Sequence, residues 1–270
     1  MLYRPKLLKI SLYLAIIIIM LLAIDVGNTS TTFGVFQGEK LVRTWRAETS
    51  TPKLQTSRQL QTANRKIGKV IVCSVVPAVN KKLKAECRKK LGIEPLFVTA
   101  ENIQGIKVKV KNKKEVGADR VVDALAAYKL YGGPAIVVDF GTATTFDVVS
   151  AKGEYLGGAI APGISLARDA LYNQTAKLPR VEIKAPKSVI GKDTVSAMQS
   201  GLVYGYVALI EGMIKRLKSG SSRLTAHSSQ PKVIATGGYA PLICKSTSLV
   251  DTIDQELTLK GLRIVARFED

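Results

Sequence analysis

A chain of 270 residues that is 46% hydrophobic, with 22 glycines, has the make-up of an ordinary globular protein with room for one large core or two medium ones. Its 40 Lys and Arg against 21 Asp and Glu give a formal net charge of +19, which favours anionic ligands, nucleotides and nucleic acid among them. Cys73, Cys87 and Cys244 are odd in number, scattered and without metal-ligand spacing, so they read as reduced thiols and not as a disulfide framework or a metal site.

From the N-terminus, Ile10 to Ile24 form an almost unbroken apolar run preceded by Arg4, Lys6 and Lys9, superficially like a signal peptide or membrane anchor. At 15 residues it is shorter than the roughly 20 a spanning helix needs. Its last residues are expected to be the strand that delivers Asp25. Residues 1–19 are therefore expected to be a non-native or disordered extension upstream of the true initiator, Met20, with a membrane tether as the alternative.

From Met20 the predicted order is a strand, a turn at Asp25, a strand to Phe36, a Gln37-Gly38 turn and a third strand from Leu41 to Ala47. A polar, helix-compatible segment runs from Thr51 to Lys66. Lys69 to Pro77 reads as a buried strand closed by proline, Ala78 to Leu91 as a helix, and Pro95 to Val98 as a further strand. The densest basic stretch follows, Lys107 to Lys114. Strand alternation there puts Lys107, Lys109 and Lys111 on one face and Val108 and Val110 on the other, a solvated face ahead of a nucleic-acid patch. A helix from Asp119 to Tyr131, striped by Val121, Leu125 and Tyr128, stops at Gly132-Gly133-Pro134. Strands at Ala135 to Asp139, Thr144 to Val149 and Glu154 to Ile160 then repeat the first set. Helices around Ile164 to Tyr172 and Thr194 to Leu217 come next, then a polar loop from Ser219 to Ser229 holding the only histidine, His227, which reads as exposed and uninvolved. A late strand, Lys232 to Thr236, leads into Gly237-Gly238.

Two of these units are near copies. Asp25-Val-Gly-Asn-Thr-Ser-Thr-Thr-Phe-Gly-Val-Phe and Asp139-Phe-Gly-Thr-Ala-Thr-Thr-Phe-Asp-Val-Val share Asp-x-Gly and Thr-Thr-Phe-x-Val, and each follows an apolar run. The alternation of elements is that of an α/β protein built by internal duplication, with lobes expected at 20–133 and 134–270. Each turn supplies a carboxylate at a strand end, a glycine that lets backbone approach a ligand, and small residues whose N–H groups stay free. That combination suits a phosphate and its metal, and two facing copies suit a nucleotide clamped between lobes.

In order and spacing, Asp25-Val-Gly-Asn-Thr, Gly117-Ala-Asp-Arg, Asp139-Phe-Gly-Thr-Ala-Thr-Thr, Gly157-Gly-Ala-Ile-Ala-Pro-Gly and Thr236-Gly-Gly resemble type III pantothenate kinases. The resemblance covers essentially everything from Met20 onward. It implies two duplicated ribonuclease-H-like lobes with a nucleotide cleft between them, as in the acetate and sugar kinase, heat-shock chaperone and actin superfamily. The implied reaction moves the ATP γ-phosphoryl to the hydroxyl of pantothenate, the first step towards coenzyme A. A cytoplasmic homodimer, joined through helices of the second lobe with the substrate pocket near the interface, is implied as well, without nucleic acid or membrane as partner.

Carried over residue by residue, the resemblance places ATP along Asp25, Val26, Gly27, Asn28, Thr29, Ser30, Thr31 and Thr32, at Thr142, and at Gly237 and Gly238. Asp25 is then the Mg²⁺ carboxylate and Asp139 the residue for a monovalent cation, potassium or ammonium. Asp119 takes the role of general base, and Gly117, Ala118, Asp119, Arg120 and Thr194 that of substrate contacts. Arg120 could pair with the substrate carboxylate or the moving phosphoryl group. Read without the resemblance, Asp119 and Arg120 are a helix N-terminus and Thr194 a helix cap. Val110 and Lys113 stand where the family often has a Tyr and a Pro, which bears on the shape of the pantothenate pocket.

Overall fold

The computed structural model describes residues 18–52, 54, 65–220 and 230–269. Two sheets dominate it. In the first, β1 (Ile18–Val26), β2 (Ser30–Gln37) and β3 (Lys40–Glu48) form an antiparallel meander, and β4 (Arg65–Ser74) and β5 (Leu96–Val98) join parallel to β1, giving the order β3-β2-β1-β4-β5. The second contains β7 (Ala135–Phe140), β8 (Ala143–Val149) and β9 (Glu154–Pro162) as the same meander, with β10 (Lys232–Thr236) and β11 (Thr252–Ile253) parallel to β7. Of its six strands, five in the order β11-β10-β7-β8-β9 repeat the first order read from the other end, and a short sixth, β6 (Lys107–Val108), lies beyond β9. A chain that repeats both its turn motif and its strand order has duplicated, as the sequence repeat indicates. This is the two-lobed ribonuclease-H-like arrangement.

Helices α1 (Pro77–Leu91), α2 (Ala118–Tyr131), α3 (Ile164–Gln174), α4 (Thr194–Gly220), α5 (Ala240–Ile243) and α6 (Leu257–Ala266) separate and cover the sheets. Alternation along the strands divides the core. From β1, Leu22 and Ile24 pack outward with Leu83 and Cys87 of α1, while Ala23 faces inward with Val121 and Leu125 of α2 and Leu257 and Leu262 of α6. From β7, Val137 joins the same inner core, and Ile136 and Val138 pack outward with Val203 and Ile210 of α4. The central strands are buried on both faces, which is why they read as continuous apolar runs. Their carboxyl ends, Asp25 and Asp139, open at the edge of this stack.

The structure departs from the sequence reading at several points. Ile18 and Ile19 belong to β1, paired with Arg65 and Lys66, so strand begins inside the segment expected to be an extension up to residue 19. Arg65 and Lys66, expected in a helix-compatible segment, are strand because they complete that pairing. Residues 1–17, most of the Thr51 to Lys66 segment and the loop with His227 lie outside the described residues. The helix expected to end at Leu217 continues to Gly220. Strand β6 (Lys107–Val108) pairs with β9 of the second sheet, although it precedes residue 134 in the chain. Conversely α6, from the chain's end, packs against the first sheet and α2. Among the described residues no helix is long and apolar enough to cross a membrane.

Candidate active site

The two Asp-x-Gly turns face each other across a cleft of about 210 Å³. Thr29 of the first turn and Thr142 of the second touch directly, sharing a hydrogen bond of 3.0 Å between their hydroxyls. Asp25, Gly27, Asn28, Thr29, Ser30 and Thr32 line one wall, and Asp139, Thr142 and Thr145 the other. Gly237 and Gly238 close one end. Gly237 has φ of +88°, and a Cβ there would sit 2.4 Å from an Asp139 carboxylate oxygen, so only glycine lets this backbone lie against Asp139. Asp119 enters from the N-terminus of α2.

Val26 and Thr31 stand behind the first turn, fully buried. The Thr31 hydroxyl meets that of Thr49 at 3.1 Å, and Thr49 in turn donates to the Gly27 carbonyl at 2.7 Å, so these residues hold the turn's shape. Gly117 and Ala118 lead into α2 without lining the cleft. Thr194 is exposed at the start of α4, away from the cleft of its own chain. The cap there is Asp193, whose side chain accepts the Ser196 N–H at 2.9 Å.

Electrostatically the cleft is short of positive charge. Burial, then the nearby Asp119, push the Asp25 carboxyl up to about 7, against a 3.3 Å hydrogen bond from the Cys73 thiol. Asp139 is pushed up to about 7 by burial, then by Asp119 and Asp25. Burial also raises Asp119, even though its carboxylate accepts the Arg120 N–H at 2.8 Å. One turn further along α2, Asp123 is 2% exposed, and its Oδ1 has no hydrogen-bond partner among the described residues. Its proton affinity is raised strongly by burial and then by Asp139. Carboxylates that desolvate and repel one another in this way fit bound cations, which would relieve both costs. Among the described residues there is no group of three or more His, Cys, Asp or Glu arranged to hold a metal ion. An ion here would thus take one or two carboxylates together with phosphate oxygens and water, the usual habit of Mg²⁺.

The sequence pattern of type III pantothenate kinases matches residues 21–216. The chain belongs to that family. A type III pantothenate kinase from Halalkalibacterium halodurans is 45% identical over 91% of this chain and 98% of its own, and one from Moorella thermoacetica is 47% identical with the same coverage. The relative from Paramagnetospirillum magneticum is 48% identical over 92% of this chain and 97% of its own. Among solved structures, a Campylobacter jejuni protein provisionally described as a Baf family transcriptional activator superposes with a TM-score of 0.57 at 19% identity, covering 92% of this chain and 98% of its own. MreB 5 of Spiroplasma citri, bound to AMPPNP, gives 0.51 at 11% identity, covering 93% of this chain and 96% of its own. Both likenesses show the fold alone.

Several residues of this kinase's site were not anticipated from its sequence. Arg120 is held by Asp147, which accepts from its Nε at 2.8 Å, while Nη2 lies 2.7 Å from the same oxygen, too oblique for a second hydrogen bond. Tyr155 donates to Asp147 at 2.8 Å and Thr145 at 3.1 Å. Asp147 departs from its counterpart in the repeat, Gly34, and that mismatch between copies was the available signal. Asp123 follows Asp119 by four residues on one helix face, a spacing legible in the sequence. Cys73 and Arg46 gave no sequence signal; only strand register brings them to Asp25.

Proposed function

We propose that this chain phosphorylates pantothenate from ATP to give 4'-phosphopantothenate, at the cleft between the paired turns. The observation that carries the reading is the convergence of Asp25, Asp119 and Asp139 on one cavity, in a chain of this family. The nucleotide lies along Asp25, Gly27 to Ser30, Thr32 and Thr142, with Val26 and Thr31 supporting the turn from behind and its adenosine against Gly237 and Gly238. Asp119 is the general base. A carboxylate whose proton affinity is raised by burial suits the task of orienting a primary hydroxyl and accepting its proton as the γ-phosphoryl transfers in line. Arg120, fixed by Asp147, presents the substrate side of the same helix end.

Asp25 would hold Mg²⁺, directly or through water, and Asp139 a monovalent cation. Bound there, these ions would neutralise phosphate charge as it shifts during transfer. The working unit is proposed to be a cytoplasmic homodimer. Leu166, Leu171 and Tyr172 of α3 and Val195 of α4 are exposed apolar side chains beside a hollow formed with Leu178 and Met198, as a partner helix would require. The pantothenate contact Thr194 sits at this edge, so a second copy could bring it to a site. The lobes are taken as 20–133 and 134–270, with β6 and α6 exchanged between them, and neither nucleic acid nor membrane enters the scheme.

The test is ADP release by the purified chain with Mg²⁺-ATP, with and without pantothenate, in potassium or in choline buffer. Turnover should require pantothenate and potassium, and Asp119→Asn should lower it by roughly 10²-fold or more. Pantothenate-independent ADP release would overturn the reading, and Asp119→Asn within a few-fold of wild type would remove Asp119 from its role.

A further inference from the structure

Strand pairing places Asp25 opposite Thr32 and Thr32 opposite Arg46, so these three residues form one row across the first sheet. Trp45, next along β3, turns to the other face and stacks on Phe33 with ring centroids 4.8 Å apart. Alternation therefore sends Arg46 to the cleft side, and it lines the cleft there. Its Nε donates to the Thr32 hydroxyl at 3.3 Å, which draws the exposed guanidinium towards the first turn and leaves its two Nη groups without a hydrogen-bond partner among the described residues. Beyond Arg46, Thr49 bonds the Gly27 carbonyl at 2.7 Å, and its N–H donates to the Thr29 carbonyl at 3.2 Å. The strand end that carries the arginine is thus tied to the phosphate turn itself.

Charge makes the placement telling. Arg46 is the one Lys or Arg lining the cleft among the described residues, and no described carboxylate forms an ion pair with it. Its positive charge lowers the proton affinity of both Asp25 and Asp139, so it is felt on both walls. The equivalent row in the second lobe runs Asp139, Thr145, Ile160, and Ile160 is 66% exposed. Duplication therefore left a cation on one wall only. An arginine kept free of carboxylates at the mouth of an acidic cavity has an anion as its natural partner, and its planar fork matches phosphate oxygens.

We infer that Arg46 is a catalytic residue whose guanidinium contacts the terminal phosphoryl group of the bound nucleotide and stabilises the charge on it as it transfers. This rests on the kinase reading above. Arg46→Ala should lower kcat by roughly 10²- to 10³-fold, the scale for losing one preorganised donor to transition-state charge, with the KM for pantothenate unchanged. Arg46→Lys should recover only part of the loss, because an ammonium keeps the charge and loses the fork. Added guanidinium chloride at low millimolar concentration should restore activity to Arg46→Ala and do nothing for wild type. Thr32→Val, which removes the anchor together with one hydroxyl of the cleft wall, should cost under about tenfold, less than Arg46→Ala.

Calorimetry with AMPPNP and ADP separates failure of this inference from failure of the kinase reading. Arg46→Ala should weaken AMPPNP by about tenfold and leave ADP within twofold, whether or not pantothenate proves to be the acceptor. Equal weakening of both nucleotides, a kcat within threefold of wild type, or a loss that guanidinium does not restore and that tracks a lowered melting temperature would overturn it.

Discussion

Thr31-Thr32-Phe33-Gly34 of the first lobe and Thr144-Thr145-Phe146-Asp147 of the second hold the same place in the same strand order, yet the fourth residue of each serves a different neighbour. At Gly34 a Cβ would lie 2.9 Å from Leu259, so the missing side chain is the space into which α6 packs. At Asp147 a carboxylate fills the corresponding position and gathers Arg120, Tyr155 and Thr145. What duplication conserved is the Asp-x-Gly turn: the aspartate, the glycine and the paired threonines. The strands behind it diverged, one copy to dock α6 and the other to fix Arg120 at the N-terminal end of α2. Arg46 and Ile160 differ in the same sense on the outer strands.

The largest effect comes from making the second copy like the first. Asp147→Gly removes the acceptor of a 14% exposed guanidinium from a carboxylate that is itself 1% exposed, leaving Arg120 charged and unpaired and Tyr155 without its partner. Breaking a buried pair this way costs about 3–5 kcal/mol, which urea denaturation would read directly. A loss under about 1 kcal/mol would mean that Arg120 has another anchor and that the divergence at this position is incidental.

A second test asks whether the two turn aspartates remain equivalent. Both Asp25 and Asp139 are pushed up to about 7 from 3.8, so the folded, cation-free protein keeps protons that the unfolded chain releases near pH 4. Bound protons in the folded state exceed those in the unfolded state across that window, so stability is fully present below about pH 4 and falls as pH rises towards 7. Asp25→Asn deletes one such group. In EDTA its stability relative to wild type should improve by on the order of 2 kcal/mol between pH 5 and 7.5, and Asp139→Asn should do the same. A change for one variant and not the other would show that the turns have diverged electrostatically.

How much of this was legible in the sequence follows the same division. The turns, the duplicated strands and the facing aspartates are local patterns, and periodicity with Asp-x-Gly spacing exposes them. Helix α6 carries Thr258, Lys260 and Arg263 among its apolar residues, so its sequence reads as an amphipathic surface helix, yet even Arg263 is buried; what it packs on was not legible. That β6 joins the second sheet depends on a parallel pairing with β9, far along the chain. Arg46 and Cys73 acquire meaning only through register, because a strand residue's neighbours are set by its partner strands and not by its own sequence. The start of α2 was partly legible: Asp119 and Arg120 stand in a recognisable motif, but the grip of Asp147 on Arg120 spans 27 residues and two elements.

The smallest effect concerns the hydrogen bond between the two turns. Thr29 and Thr142 share their hydrogen bond in an exposed setting, where water competes for both hydroxyls. Thr29→Val should therefore change stability by under about 1 kcal/mol. If the bond's role is to hold the lobes at the spacing a nucleotide needs, Thr29→Val and Thr142→Val should each weaken AMPPNP binding by a few-fold. Because either change breaks the same contact, the double variant should then be no weaker than the worse single one. Additive losses would instead mean that each hydroxyl meets the nucleotide separately, so the two turns act as independent half-sites and not as one clamp. A double-mutant cycle by calorimetry distinguishes these outcomes even where each single effect is small.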